Sequence, residues 1–387
     1  MNKNKAIPFT FNFLYFAGIA SLAPFIILYY QQLGFTGVQI SLLAGVSPLI
    51  TLFFSPFWTN IADATRRHRL IMSLGLAVAV VSMLLFPLMK TFGFVFLLLL
   101  LFYLFAAPLT SFADSATMTM LADKKELYGR VRLGGTIGWG IGAPVAGALI
   151  KTYGLNMAFW GCAAMMLLGL IVSQGFSFGA PEETKSKGNV RDLLSNRHWI
   201  LFLALAFIGG IAFASTATYF SPYMKELGAD EFIIGIALLV SILSEIPVFF
   251  FGDRLLKRFK SYGLLIFALV VTGIRLLLFA ASGTPTLAIL VQLLQGLTFP
   301  AMWIAGVAYA DEHAPENLKS TAQGLFGAMT FGIGSAVGGL MGGVLLESIG
   351  GRALFLVYGV VVLSGVAVIS LIEKRTSFPP SFAARCR

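Results

Sequence analysis

Charge is scarce in this sequence. Asp, Glu, Lys and Arg make up 11% of its 387 residues, against about a quarter in a soluble domain, and the mean hydropathy is +0.87. Such a chain cannot cover itself with a surface that water tolerates, so its solvent is lipid. Cysteine is scarcer still. Cys162 lies in a hydrophobic run and Cys386 near the end of the chain, which gives no disulfide framework. The three histidines, His68, His198 and His313, fall at the polar ends of hydrophobic runs, and no Cys/His cluster has metal-ligand spacing. There is no Walker sequence to take ATP and no glycine-flanked nucleophile elbow. An enzyme is not expected, and neither is a cofactor or a metal.

Apolar runs are abundant. A helix needs roughly 20 apolar residues to cross the hydrocarbon core. Twelve segments qualify: 7–33, 38–62, 70–89, 93–122, 131–153, 155–178, 198–224, 231–253, 261–281, 285–310, 319–347 and 352–373. The first apolar run, from about Ala6 to Leu33, is too long for a signal-peptide core and shows no small-residue cleavage site. It reads as a retained span. One long polar connection, "GAPEETKSKGNVRDLLSNRH", separates six spans from six. The expected organisation is an N-terminal bundle over 1–178, a linker over 179–197, a C-terminal bundle over 198–375 and a disordered tail over 376–387.

The basic residues set an orientation. With both termini in the cytoplasm, Lys and Arg gather on the inner side. Of the 27, only Lys90, Lys151, Lys225 and Arg352 fall outside, and Arg275 lies within a span. This is the positive-inside pattern. It accounts for the net charge of +10 with no nucleic acid as partner. The expected place is the inner (cytoplasmic) membrane, crossed many times by a monomer.

The two halves repeat. Asp63 with "ATRRHR" after span two has a counterpart in Asp253 with "RLLKR" after span eight. Gly138, Gly142, Gly147, Gly154 and Phe159 recur at the same spacing as Gly334, Gly338, Gly343, Gly350 and Phe355. Small residues four apart in spans five and eleven let helix backbones approach closely. Two pseudo-symmetric six-helix bundles are the plan of a rocker-type transporter with solute held near the midplane.

The loop "TNIADATRRHRL" (59–70) resembles the loop 2–3 signature of the major facilitator superfamily: Asp63 and Arg67 match, while Thr59, Ala64 and Arg66 depart from it. The second copy, "FFFGDRLLKR", keeps Asp253 and Arg254. "YGRVRLGGTIGWG" (128–140), which holds Arg130 and Arg132, is similar to a signature of the subgroup that contains the phenylpropionate porter, nucleoside symporters and lactose permease relatives. "SEIPVFFFGDRLLKR", "GIRLLLF" and "LLQGLTFPAMW" are similar to the same stretches of the phenylpropionate porter. The resemblance runs over essentially the whole chain. It implies an all-α membrane protein of twelve helices that imports a small organic solute (sugar, nucleoside or aromatic acid) with a proton. It also implies that Asp63, Arg67, Asp253, Arg254, Arg130 and Arg132 act in gating. Arg275 takes a place similar to the ninth-span arginine of lactose permease. The His and Glu that couple protons in that permease's span ten align with Gln295 and Thr298 here, so another group must carry the proton.

Three ionisable residues fall deep in spans: Asp114, Glu245 and Arg275. Glu245 lies eight residues before Asp253, roughly 12 Å along a helix, and so near the middle of a core about 30 Å thick. Asp114 reaches a similar depth. A charge there costs at least ~2.5 kcal/mol, so it faces a cavity, meets a cation or takes up a proton. A carboxyl group that alternates between a dry place and one beside Arg275 would load and unload a proton as the halves rock. Glu245 is the first choice for that carrier and Asp114 the second. For the solute, Gln292, Gln295 and Trp303 in span ten, Asn12 and Tyr15 in span one and Tyr219 in span seven offer amides beside aromatic rings. Two rival readings remain: a proton-coupled drug efflux antiporter, and a receptor that binds a solute without moving it.

Overall fold

A computed structural model describes residues 3–179, 193–315 and 318–376, and all regular structure among them is helical. The runs long and apolar enough to cross a membrane are α1 (Lys5–Gln32), α2 (Gly37–Thr65), α3 (His68–Leu88), α4 (Phe92–Leu121), α5 (Tyr128–Tyr153), α6 (Asn156–Ser173), α7 (Arg197–Glu226), α8 (Glu231–Phe250), α9 (Gly252–Ala281), α10 (Pro285–His313) and Thr321–Glu373. The last has 53 residues, which would reach about 80 Å at 1.5 Å per residue. It folds back instead at Gly350, whose φ of 77° and ψ of 169° are non-helical. That break divides it into α11 (321–349) and α12 (351–373) and completes twelve crossings. A second break at Lys260 (φ 57°) separates the amphipathic lead "GDRLLKRF" from the apolar part of α9. The expected linker and tail lie mostly outside the described residues.

The repeat seen in the sequence is a repeat in space. Gly138 of α5 lies against the Phe13 carbonyl of α1, and its counterpart Gly334 lies against the Phe207 carbonyl of α7. Gly142 meets Ala17, and Gly338 meets Ile211. Across the molecule, Gly147 faces the Glu231 carbonyl at the start of α8, while Gly343 faces that of Gly37 at the start of α2. The two halves therefore meet twice in the same way, α5 on α8 and α2 on α11.

Among the described residues these two seams are tight at one end only, the end opposite the basic loops, called here the distal end. There Lys151 pairs with Asp230 at 2.7 Å. The Gly37 amide, an orphan donor at the N-terminus of α2, donates to Glu347 of the other half at 2.8 Å, and the Val344 amide donates to Ser41 Oγ at 3.0 Å. At the basic end Asp63 pairs within its own half with His68 at 2.7 Å. Arg67, Arg130 and Asp253 are exposed, and Arg254 stacks on Phe251. The halves thus form a V closed at the distal end.

Asp230 also caps α8 through the Ile233 amide at 2.8 Å. The Lys151 ammonium first, and these amides second, hold its carboxyl below the usual carboxylate range. The lowered value means that the pair's contribution is complete above the ordinary range, about pH 4, and fades as pH falls through the lowered value. Between pH 5 and 8 it gives distal closure no pH dependence. An exposed pair of this kind is worth up to ~1 kcal/mol. Asp230→Asn should therefore reduce the closed fraction by a few-fold at most, read as a longer distance between spin labels on the distal loops.

Candidate solute and coupling site

α10 is broken where it matters. It runs as Pro285–Gln292 and Gln295–His313, with Leu293 and Leu294 in a turn between them. Broken helices are tolerated in a membrane where protein or a cavity surrounds the freed backbone. The break sets Gln292 and Gln295 on either side of a kink that faces α8 and α9. Gly296 lets α8 come close: a Cβ there would lie 2.1 Å from the Ser244 carbonyl oxygen. Its amide donates to Ser244 Oγ at 3.1 Å.

This contact brings Glu245 and the two glutamines together. Gln295 Nε2 donates to Glu245 Oε1 at 2.9 Å. The Arg275 guanidinium donates to Gln292 Oε1 and lies over the Phe279 ring at 5.0 Å. Both charged residues are buried, Glu245 9% and Arg275 3% exposed. Among the described residues no ion pair joins them. Each is held by an amide of matching polarity, a dipole rather than a counter-charge, so the buried charges are incompletely compensated.

A second cluster forms in the other half. Arg132 of α5 donates to Asp114 of α4 at 3.3 Å and to Asn12 of α1 at 3.1 Å, and its guanidinium covers the Phe16 ring at 4.8 Å. The Tyr128 hydroxyl lies beside the same carboxyl. Asp114 and Arg132 are about a third exposed. Three residues that the sequence suggested for coupling, solute binding and gating are thus one group.

Between the halves lies a cavity of about 330 Å³ walled by α1, α2, α4, α7 and α11, within the usual size for a small-molecule site. Its polar wall is made of hydroxyls: Tyr30, Ser47, Thr51, Tyr103, Thr218 and Ser335. Among the described residues no Asp, Glu, Lys, Arg or His lines it. The Tyr30 hydroxyl is enclosed without a hydrogen-bond partner. None of the six residues expected to bind solute reaches this wall. Tyr15 stacks on Phe11 and meets Phe16 edge-on. Trp303 packs on Phe326 and Phe331. Tyr219 donates to the Gly339 carbonyl in the α7–α11 seam. Asn12 serves Arg132, and Gln292 serves Arg275. Gln295 lines a smaller chamber of about 20 Å³ with Arg275, Thr216, Thr272 and Thr298. Sequence reasoning passed over the Ser and Thr residues of this wall because isolated hydroxyls carry no signal in an apolar run. The one cue was Pro24, which interrupts α1 just before Tyr30.

The chain matches the model of the MFS_1 like family over residues 9–357. It is similar to the maltose permease of Geobacillus stearothermophilus, 27% identical over 369 residues that make up 94% of this chain and 93% of that protein. It is also similar to the multidrug resistance protein MdtG of Citrobacter koseri, 27% identical over 93% of this chain and 92% of that protein. In three dimensions it resembles the crystal structure of the nucleoside transporter NupG, with a TM-score of 0.84 at 18% identity, covering 97% of this chain and 100% of that one.

Proposed function

The chain belongs to the MFS_1-like family, a multi-pass transporter of the inner membrane rather than an enzyme, and from that premise we propose that it imports a small neutral hydroxylated solute, a sugar or nucleoside, together with a proton. The observation that carries this reading is the central cavity, walled by hydroxyls and apolar side chains without a charged residue. Such a wall would leave an acid or an amine unpaired, at a cost that a neutral solute avoids. That relatives include a maltose permease and the fold a nucleoside transporter agrees with it.

In this reading both termini and the basic loops are cytoplasmic, the linker within 179–197 divides two domains, and the protein works as a monomer. The V then opens inward. Glu245 is the proton carrier: here it is held by Gln295, apart from Arg275, and rocking of α8 and α9 against each other exchanges one neighbour for the other. Asp114, beside Arg132, is the alternative carrier. Asp63, Arg67, Asp253, Arg254 and Arg130 stand at the inner mouth and would pair across the halves when it closes, Asp63 leaving His68 and Arg254 leaving Phe251.

A second reading is proton-driven efflux of amphipathic drugs, favoured by the apolar share of the cavity wall and by the likeness to MdtG. Proteoliposomes under a pH gradient of either sign separate the two. Import requires that one or a few neutral sugars or nucleosides accumulate when the outside is acidic, and that organic cations do not. Movement of many unrelated cations against the proton gradient would instead establish efflux.

A further inference from the structure

Glu245 lines neither cavity; it stands one hydrogen bond behind the smaller chamber, through Gln295. A proton carrier needs a route to water, and the structure indicates one. The chamber, about 20 Å³, is large enough for one water, which needs about 10–15 Å³. Five of its ten wall residues are polar: Thr216, Thr272, Thr298, Gln295 and Arg275. The Arg275 Nε is buried without a hydrogen-bond partner among the described residues, while the guanidinium's other arm serves Gln292. A buried guanidinium donor of that kind calls for an acceptor, and a water taken up in the chamber that Arg275 lines would supply it.

One residue, Phe213, lines both this chamber and the central cavity. Its ring packs against Phe299, on the chamber side, at 5.4 Å and against Phe331, on the cavity side, at 5.2 Å. Phe331 belongs to a π-helical turn, Ala328–Gly334 of α11, a feature that marks places where a helix can readjust. The wall between solute and ionic relay is therefore a cluster of three rings, with one member on a helix segment of irregular winding.

We propose that Phe213 is a partition between the solute cavity and a one-water site at Arg275, and that displacing its ring admits solvent to the Glu245–Gln295 relay. This rests on the reading of Glu245 as proton carrier, but the partition is tested without it. With Cys162→Ser and Cys386→Ser as background, Thr272→Cys places a thiol on the chamber wall, at a residue 8% exposed. Its reaction with methyl methanethiosulfonate is followed in the full-length protein with Phe213 intact, with Phe213→Ala and with Phe213→Leu. The thiol should react slowly behind Phe213 and near that rate behind Phe213→Leu. Behind Phe213→Ala it should react roughly tenfold faster or more, because modification no longer waits for local opening. Equal rates in all three, or a fast rate with Phe213 intact, overturn the partition. If Phe213→Ala does not fold, Phe213→Val takes its place with the same expectation. Proton leak without solute in Phe213→Ala proteoliposomes is the separate readout for the relay. Fast labelling without leak would keep the partition and overturn the link to Glu245.

Discussion

Glu245→Gln abolishes concentration of the solute by a proton gradient and leaves exchange of solute for solute near the wild-type rate. The substitution keeps shape and hydrogen bonding. A glutamine carbonyl can accept from Gln295 Nε2 as the Glu245 carboxyl does at 2.9 Å, so the α8–α10 contact built on Gly296 and Ser244 survives. What is lost is the ability to take up and release a proton. One pH unit is worth about 1.4 kcal/mol per proton, or about tenfold in solute ratio. Under such a gradient, wild-type vesicles should approach tenfold accumulation for one proton, and the variant should stop at equal concentrations. Exchange continues because the halves still rock around bound solute. A variant that accumulates like wild type would transfer the carrier role to Asp114, whose contact with Arg132 at 3.3 Å is already partly exposed to solvent.

Gly147→Val has the second largest effect, and it acts on conformation. A Cβ at Gly147 would lie 2.2 Å from the Glu231 carbonyl oxygen, an overlap with backbone that only separation of α5 from α8 relieves. Overpacking of this kind costs about 1–3 kcal/mol, a shift of roughly 5- to 150-fold between two states. The closed distal end should give way, net transport should fall in proportion, and spin labels at Thr152 and Leu227 should move apart. Gly140→Ala is the control. Its Cβ would meet Leu239 at an ordinary 3.5 Å, so both the distance and the transport rate should hold. An unchanged distance in Gly147→Val would mean that this seam is not what closes the distal end.

Much of the fold was legible because lipid leaves a chain few options. The twelve apolar runs fall close to the helices found, including the turn at Gly350 and the start of apolar α9 after Lys260. The glycine repeat was legible as well, since contact of two backbones admits no side chain, and the spacing recorded both seams. The candidate site was legible only where charged or amide side chains interrupt apolar runs. Glu245, Arg275, Gln292 and Gln295 stand out against an apolar background, and the structure gathers them. The assembly of Asn12, Asp114 and Arg132 was not legible, because α1 supplies Asn12 from 120 residues before Arg132. Tyr29 and Tyr30 show the same difficulty at closer range. Pro24 interrupts α1 and resets its helical phase, so that Tyr29 packs against Phe159 at 4.6 Å while its neighbour lines the cavity. Without knowledge of that break, the two tyrosines are equivalent.

Solute-induced proton uptake is the direct test of whether a buried acid links solute to protons. Proteoliposomes in lightly buffered medium are given solute with no gradient imposed, and external pH is followed. Alkalinisation is expected for the wild-type protein and for Asp230→Asn, and none for Glu245→Gln. Solute entry into wild-type vesicles with no change in external pH, or equal alkalinisation by Glu245→Gln, would contradict it.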